Sequence, residues 1–269
     1  MVHRTLAIAA LAAAGFAAPV LADQYETIYV EEEVIDTTTT DLSLRIGIGG
    51  LVQPDYEGSD DYEIAPWPIV SLEYLRLPGL GEFGGRTVGF SIGPSFGFVG
   101  ERDQFSDPAL IGLGNVDAAF ELGLKAAYEV DHWGAYAALR QGFGGHEGLV
   151  GEAALYGVWR PVDQFVLRVG PDVSYATSEY FDTYFSVTPT QSFLSGLPVY
   201  NAGSGFKSVG IQGLAVYSLT EKVDLHFRAG YDRLVSGAAD SPIVTTAGSR
   251  DQFTAGMGIS YRIDLDLFD

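Results

Sequence analysis

The feature that most constrains the fold is an alternation of polarity that recurs along the chain from Asp41 onward. Segments of about ten to thirteen residues place apolar and polar side chains at alternate positions, and turn residues follow each segment. Segment 252–263 sets Phe253, Ala255, Met257, Ile259, Tyr261 and Ile263 against Gln252, Thr254, Gly256, Gly258, Ser260 and Arg262. Because successive side chains of a strand point to opposite faces, the pattern predicts an all-β protein.

Alternation alone fits both a soluble β-sandwich and a membrane barrel, since each has one apolar and one polar face. Three features favour the barrel. The segments are longer than the usual strands of soluble sheets and match a tilted membrane crossing. The polar face repeatedly carries charges next to glycines, as a narrow lumen would. Aromatic residues lie near segment ends, where a lipid-interface girdle would place them, at Tyr74, Tyr128, Trp133, Trp159, Phe165 and Tyr217.

Turn lengths predict the strand count and direction, because outer-membrane barrels keep short turns in the periplasm and long loops outside. We predict a closed, transmembrane, antiparallel up-and-down β-barrel of about ten strands with both termini in the periplasm. The strands are expected near 42–52, 64–75, 86–99, 116–129, 133–143, 149–159, 164–176, 205–217, 222–235 and 251–263. Residues 177–204 then form one long outer loop. If they instead hold two further strands, beginning near 184–187, the barrel has twelve.

The N-terminus has the three-part layout of a secretory signal peptide. A basic start with Arg4 precedes an apolar run over 6–21, and Val20-Leu21-Ala22 suits cleavage after Ala22. The alternative, an anchoring helix, is disfavoured because the run is short and acidic residues follow it. We predict a signal peptide over 1–22, an acidic flexible periplasmic leader over 23–40 and a barrel over 41–269 in the cell outer membrane.

The inward face of the predicted barrel carries nearly balanced charge, although the whole chain has 35 acidic and 15 basic residues. The inward basic residues are Arg45, Lys125, Arg140, Arg168, Arg228 and Arg262, and the inward acidic residues are Glu73, Asp117, Glu121, Glu152, Asp172, Asp224 and Asp232. Buried charges persist when they are paired, so we expect a salt-bridged charge network that fills the lumen. A selective pore would show an excess of one sign of charge, so the balanced lumen argues against an open pore. The alternative that we keep is a narrow channel for small solutes.

Few residues suggest chemistry. The chain has no cysteine, and the Gly-x-Ser-x-Gly motif is absent. His226 shares a face with Asp224 and Arg228, but no serine is placed beside it by the sequence, so we interpret it as a polar lumen residue. His146 follows two glycines and is expected in a solvated turn. We therefore predict no catalytic residues, no enzyme activity and no cofactor.

The most distinctive local sequence lies in the first outer loop. We take its residues as a candidate interaction loop: Asp55, Tyr56, Glu57, Gly58, Ser59, Asp60 and Asp61. Their carboxylates could collect a hard cation such as Ca²⁺, but the spacing differs from that of an EF-hand. Acidic outer loops are usually solvated, so we predict no metal site.

The stretch GIGGLVQPDYEGSDDY at 47–62 resembles the opening of the MltA-interacting protein family (MipA/OmpV). The segments YDRL at 231–234 and SPIV at 241–244 resemble its penultimate strand and final outer loop, and GFKS at 205–208 is a weaker match. The similarity spans about 41–263, essentially the whole predicted barrel.

The resemblance implies an outer-membrane scaffold that holds a lytic transglycosylase near a bifunctional penicillin-binding protein. Other relatives are associated with adhesion and with antibiotic or envelope-stress responses. The family has no established catalytic residues to carry over. Outer-membrane lipid is the further expected partner, and no nucleic acid is expected.

Overall fold

The computed structural model describes residues 40–78, 81–84, 89–105 and 107–267. The signal peptide over 1–22 and the leader up to residue 39 lie outside the described residues, and both stay predictions.

Ten long strands and one short strand form a single antiparallel sheet. The long strands are β1 (Leu42–Pro54), β2 (Tyr62–Leu77), β4 (Gly89–Val99), β5 (Ala119–Val130), β6 (Trp133–Gly144), β7 (Leu149–Val162), β8 (Phe165–Ala176), β9 (Gly205–Thr220), β10 (Val223–Leu234) and β11 (Asp251–Leu265), and the short strand is β3 (Gly81–Gly84). Neighbours in the chain are neighbours in the sheet except for β3 and β4, which lie at its two ends, and β1 pairs with β11. The prediction of a ten-stranded up-and-down barrel is confirmed.

The long outer segment 177–204 contains helices and adds no strands to the sheet. Helix α1 (Ser178–Tyr184) and helix α2 (Pro189–Ser195) occupy it. Helix α2 begins with a capping box between Thr188 and Gln191 and ends at Gly196, whose φ of 78° suits glycine. The twelve-strand alternative is therefore wrong.

The described part of the expected strand over 86–99 is β4, which begins at Gly89, and the short strand β3 precedes it. Strand β3 pairs with the periplasmic end of β2, at Tyr74–Leu77. Strand β4 pairs with β5 along its whole length. No ladder joins β4 to β2 or β3 in the described ranges 62–77, 81–84 and 89–99, so one edge of the curled sheet is β4 and the other is β3 together with the outer part of β2. Among the described residues, strand pairing does not close the sheet at this seam between β2 and β4.

The outer face of the sheet is apolar and exposed, as a lipid-facing surface is. Ile48, Ile64 and Leu124 are 64%, 80% and 65% exposed. Aromatic pairs mark both ends of the band, namely Tyr128–Trp133 and Trp159–Phe165 on the periplasmic side and Tyr175–Phe206 and Tyr231–Phe253 on the outer side. No helix among the described residues is long and apolar enough to span a membrane.

Tyr74 does not belong to this girdle. The ladder between β1 and β2 shifts register next to Ser43, so that Tyr74 pairs with Ser43 while Leu72 pairs with Leu44. The extra residue is a bulge, and bulges re-aim side chains. Tyr74 is consequently buried, and its assignment to the lipid interface is wrong.

The outer loops fold over the mouth of the barrel as a compact cap. The cap comprises loop 55–61, a 3₁₀ turn at Pro108–Leu110, helices α1 and α2, helix α3 (Ser236–Ala239) and helix α4 (Pro242–Ala247). Its core consists of fully buried side chains, among them Leu110, Phe181, Phe185 and Ile243. The cap is thus stabilised by apolar burial of its own, separately from the lumen.

Candidate functional site

The periplasmic half of the lumen is filled by paired charges. Arg45 forms salt bridges with Glu73 and with Asp224, and all three side chains are buried. On the opposite wall, Arg168 donates to both carboxylate oxygens of Glu129, at 2.9 and 2.7 Å. Arg45 and Arg168 thus each have at least one carboxylate in direct contact, which offsets the cost of removing them from water.

An apolar layer begins beside the Arg168–Glu129 pair and extends outward from it. It consists of inward side chains from six strands, namely Leu51, Trp67, Ile69, Tyr136, Ala154, Tyr156, Val158, Val166, Leu214 and Val216. Lys125 lies beside this layer, with its Nζ 4.8 Å from the centre of the Tyr136 ring. The middle of the lumen is therefore packed with side chains.

A second charged cluster lies on the outer side of the apolar layer. Arg140 donates to Glu121 at 2.8 Å and to Glu152 at 2.6 Å. His146 Nε2 lies 3.1 Å from Glu121, and the Gly148 amide donates to His146 Nδ1 at 3.2 Å. Because Nδ1 accepts that hydrogen bond, the ring proton belongs on Nε2, facing Glu121.

His146 is buried, so the expectation of a solvated turn is wrong. Its ring packs edge-on against Tyr180 and Tyr184 of α1, at centroid distances of 4.8 and 5.7 Å. A Cβ at Gly142 would lie 2.1 Å from the His146 ring. The glycine in an otherwise regular strand was the available signal that another group approaches closely there.

The first outer loop is held inside the cap. Glu57 Oε1 accepts hydrogen bonds from Tyr180 Oη at 2.8 Å and from Lys207 Nζ at 2.7 Å. Lys207 belongs to β9, where the ladder with β8 shifts register between Ser174 and Tyr175. The bulge turns Lys207 inward. One wall cation thus binds the first outer loop to helix α1.

The remaining loop residues attach to the last outer connection. Tyr56 Oη donates to the Ala247 carbonyl at 2.8 Å. The Gly58 amide donates to Gln252 at 3.1 Å, and Gln252 donates to the Ser59 carbonyl at 3.0 Å. Asp60 and Asp61 are the residues of this candidate interaction loop that stay exposed.

A cavity of about 390 Å³ lies between the cap and the outer charged cluster. Two cations, Arg102 and Lys207, line it together with eight carboxylates, namely Asp55, Glu57, Glu63, Glu101, Asp103, Glu152, Asp172 and Asp232. Volumes of this size accommodate small-molecule ligands.

The cap changes the ionisation of groups that border this cavity. Burial raises the pKa of the Asp55 carboxyl, and the charges of Asp107 and Asp61 raise it further. Burial lowers the pKa of the Arg102 guanidinium, which donates to the carbonyl oxygens of Tyr184 and Thr183 at 3.1 and 3.4 Å. Both shifts have the sign expected where charged groups leave water.

The predicted charge network separates into these two clusters and some further contacts. Arg228 donates to Gln212 at 3.1 Å, and Arg262 lies 3.2 Å from Asp264. Asp232 accepts from Ser208 at 3.1 Å, and Asp172 lines the cavity nearby. The predicted network did not include Arg102, Lys207 or Glu129. Arg102 lies in a loop, Lys207 lies at a bulge and Glu129 lies at a strand end, so alternation did not identify them.

His226 does have a serine neighbour, which corrects the sequence interpretation. Its Nε2 lies 2.7 Å from Ser260 Oγ. In the β10–β11 ladder His226 lies opposite Gly258. Ser260 is two residues further along on the same face, within reach of the His226 side chain. Both side chains are buried, His226 packs against Trp67, and neither residue lines the cavity, so this contact fills the lumen.

An antiparallel sheet with an apolar outer face and a filled polar lumen defines the protein as an outer-membrane β-barrel. The chain belongs to the family described as MltA-interacting protein MipA, whose sequence model matches residues 46–263. The resemblance seen in the sequence is thereby confirmed. Among curated proteins, no sequence matches the chain.

Solved outer-membrane proteins are similar to the chain only at low TM-scores. The NanC porin has a TM-score of 0.37 at 9% identity, covering 82% of this chain and 100% of that chain. OprG from Pseudomonas aeruginosa has 0.31 at 15%, covering 84% and 98%. Neisserial surface protein A has 0.28 at 9%, covering 82% and 96%. Similarity at this level carries no argument about function.

Proposed function

We propose that the protein is a non-catalytic outer-membrane scaffold that holds a lytic transglycosylase at the periplasmic surface of the membrane. The family description, MltA-interacting protein, supplies the class of partner. The observation that carries the proposal is the filled lumen, with Arg45 and Arg140 each bound to two carboxylates. A filled barrel acts through its surfaces, since it offers no wide aqueous path.

The periplasmic rim is the surface that we propose for the enzyme. Its tight turns expose Asp131, Asp163 and Glu221, and the chain end adds Asp266. The leader over 23–40, which lies outside the described residues but for Thr40, adds further carboxylates. These carboxylates favour a partner with a basic surface. A penicillin-binding protein is a second candidate partner, supported only by the family resemblance.

Cross-linking followed by purification from native envelopes tests this proposal. Deleting 23–40, or combining Asp131→Asn with Glu221→Gln, should reduce the co-purified transglycosylase several-fold. The matched control, Asp117→Asn with Glu147→Gln, removes two exposed charges from the outer side and should leave the yield unchanged. Equal capture by all variants would overturn the periplasmic surface. Stepwise conductance of the purified protein in planar bilayers would favour the narrow channel instead.

Adhesion is the second candidate, and one feature of the cap favours it. Phe193 and Leu194 of α2 are 88% and 62% exposed, and Phe105 is 75% exposed. Exposed apolar groups on an outer loop are a common basis of contact with another surface. Replacing Phe193 and Leu194 with serine should lower attachment of whole cells to host surfaces. Unchanged attachment at equal surface expression would remove this candidate.

A further inference from the structure

Among the side chains that line the cavity beneath the cap, acidic residues outnumber basic ones, although Glu152 is bound to Arg140, which does not line it. Eight carboxylates line it against two cations. Lys207 is bound to Glu57, and Arg102 donates to two backbone carbonyls. Among the described residues, no salt bridge reaches Asp172 or Asp232 on the inner wall.

Two buried acceptor atoms in the cavity lining, one on β8 and one on β1, support a ligand independently of the charge count. Asp172 Oδ1 and Gln53 Oε1 accept no hydrogen bond from any residue that the structure describes. Asp172 is 8% exposed, Gln53 is 5% exposed, and both line the cavity. An unpaired buried acceptor costs free energy, more so when it is charged. A ligand with several N–H donors and a positive charge would satisfy both atoms, and an ammonium group has both properties.

The rest of the lining points to an organic ligand. Ala65, Val99 and Leu234 contribute buried apolar surface to the same cavity. In the part of the chain that the structure describes, no group of three or more His, Asp or Glu residues is placed to hold a metal ion. Carboxylates beside apolar surface match a cation that carries a hydrocarbon group.

The cavity extends to the free edge of β2. Glu63 and Ala65 line it from the inner face of that strand, and Ile64 and Pro66 line it although their side chains point outward. Val99 and Gly100, at the end of β4, border it as well. The opening is therefore at the seam between β2 and β4, near the lipid-exposed Ile64.

Prolines explain why this seam does not pair. Pro66 and Pro68 are opposite Gly50 and Ile48, and Pro94 is opposite Leu124. Proline has no N–H, so these cannot be the ladder positions that exchange two hydrogen bonds. Their nitrogen atoms must face the free edges, where they leave gaps in the donors that a β2–β4 ladder would need.

We propose that this cavity is a binding site for an organic ammonium ion with an apolar group, and that the ligand enters from the membrane through the seam between β2 and β4. The ammonium group contacts Asp172, Asp232 and Gln53, and the hydrocarbon group lies against Ala65 and Val99 and extends toward Ile64. The site is independent of the scaffold role, since it lies at the opposite end of the barrel.

Calorimetric titration of the full-length mature protein in lipid nanodiscs tests the site. The probe is n-octylammonium, compared with octanoate and with spermidine, and empty nanodiscs correct for partitioning. We expect saturable binding of octylammonium, with affinity lowered more than about tenfold by Asp172→Asn combined with Asp232→Asn. The control, Asp117→Asn with Glu147→Gln, should bind as the wild type does. Equal binding of octanoate or spermidine, or an unaltered double variant, would overturn the proposal.

Gln53→Met provides a second variant that keeps every charge, and it too should weaken octylammonium binding. The entry route is tested by kinetics. Replacing Pro66 and Pro68 with valine restores two donors on the edge of β2 and should slow association while the equilibrium affinity is maintained. Ile64→Trp, which places bulk at the opening, should slow it likewise. Unchanged association rates in both variants would overturn entry through the seam. Heat-modifiable migration on gels confirms that each variant is folded.

Discussion

The two halves of the lumen are built from the same alternating strands, but they differ in how completely their charged side chains are paired and packed. In the periplasmic half, Arg45 is bound to two carboxylates and Arg168 to both oxygens of one, and side chains fill the space between them. In the outer half, Arg140 is equally well paired, but a cavity of about 390 Å³ remains beside it. That cavity contains Asp172, whose buried Oδ1 accepts no hydrogen bond from the described residues.

The difference shows that nearly equal numbers of acidic and basic lumen residues do not reveal which of them are paired. Buried ion pairs contribute little net stability but are costly to break, so the periplasmic half tolerates little change. Unpaired buried acceptors in the outer half raise the free energy of the folded protein, and a ligand that donates hydrogen bonds to them would lower it. We therefore expect charge removal to have opposite consequences in the two halves.

The largest effect is expected from Arg45→Met. The substitution leaves Glu73 and Asp224 buried without the cation between them, which should destabilise the barrel by about 3–5 kcal/mol. Urea unfolding in detergent, followed by heat-modifiable gel migration, measures the loss. Combining Arg45→Met with Glu73→Gln and Asp224→Asn should recover most of it, because no unpaired charge then remains. A loss below about 1 kcal/mol in the single variant would contradict the pairing.

A smaller effect, confined to the outer half, is expected from Lys207→Met. Glu57 and Tyr180 lose their shared wall cation, so the cap should open more easily by about 1.5–3 kcal/mol while the strands stay intact. Hydrogen–deuterium exchange of 55–61 and 178–184 measures this opening. Lys222→Met is the matched control, since Lys222 lies 3.5 Å from Asp264 in an exposed periplasmic pair. Faster exchange throughout the sheet would show that Lys207 stabilises the barrel itself.

Sequence reasoning predicted the wall well and the cap poorly, for a physical reason. A period of two places Arg140, Asp172 and Arg262 inward whatever their neighbours are, so the network residues could be named from spacing alone. The position of Lys207 depends on a one-residue bulge, which reverses the expected face. His146 and Tyr56 are buried by contacts between loops distant in sequence, and no local pattern encodes those contacts. The seam could have been predicted in part, since prolines such as Pro66, Pro68 and Pro94 are typical of edge strands.

The smallest effect, with the most specific sign, is expected from Asp55→Asn at the rim of the cavity. Burial holds the folded-state pKa of Asp55 above its ordinary value of 3.8. The folded cap therefore binds this proton more tightly than the unfolded chain does. The resulting stabilisation is fully present below the unfolded pKa and is lost as pH rises through the folded pKa. At pH 7 the ionised carboxylate thus weakens the cap, and replacing it with asparagine should strengthen the cap.

Because Asp55 is partly solvated, screening should keep this gain below about 1 kcal/mol. Limited proteolysis of the outer loops at pH 7 and again below pH 4 measures it. The variant should resist cleavage better than the wild type at pH 7, and the difference should disappear at the lower pH. Asp60→Asn, an exposed neighbour in the same loop, should show no such pH dependence. A variant less stable than the wild type at pH 7 would mean that the Asp55 carboxylate is stabilised by its surroundings. The negative charge of the cavity would then impose no cost on the cap, and the contrast between the two halves of the lumen would not extend to its rim.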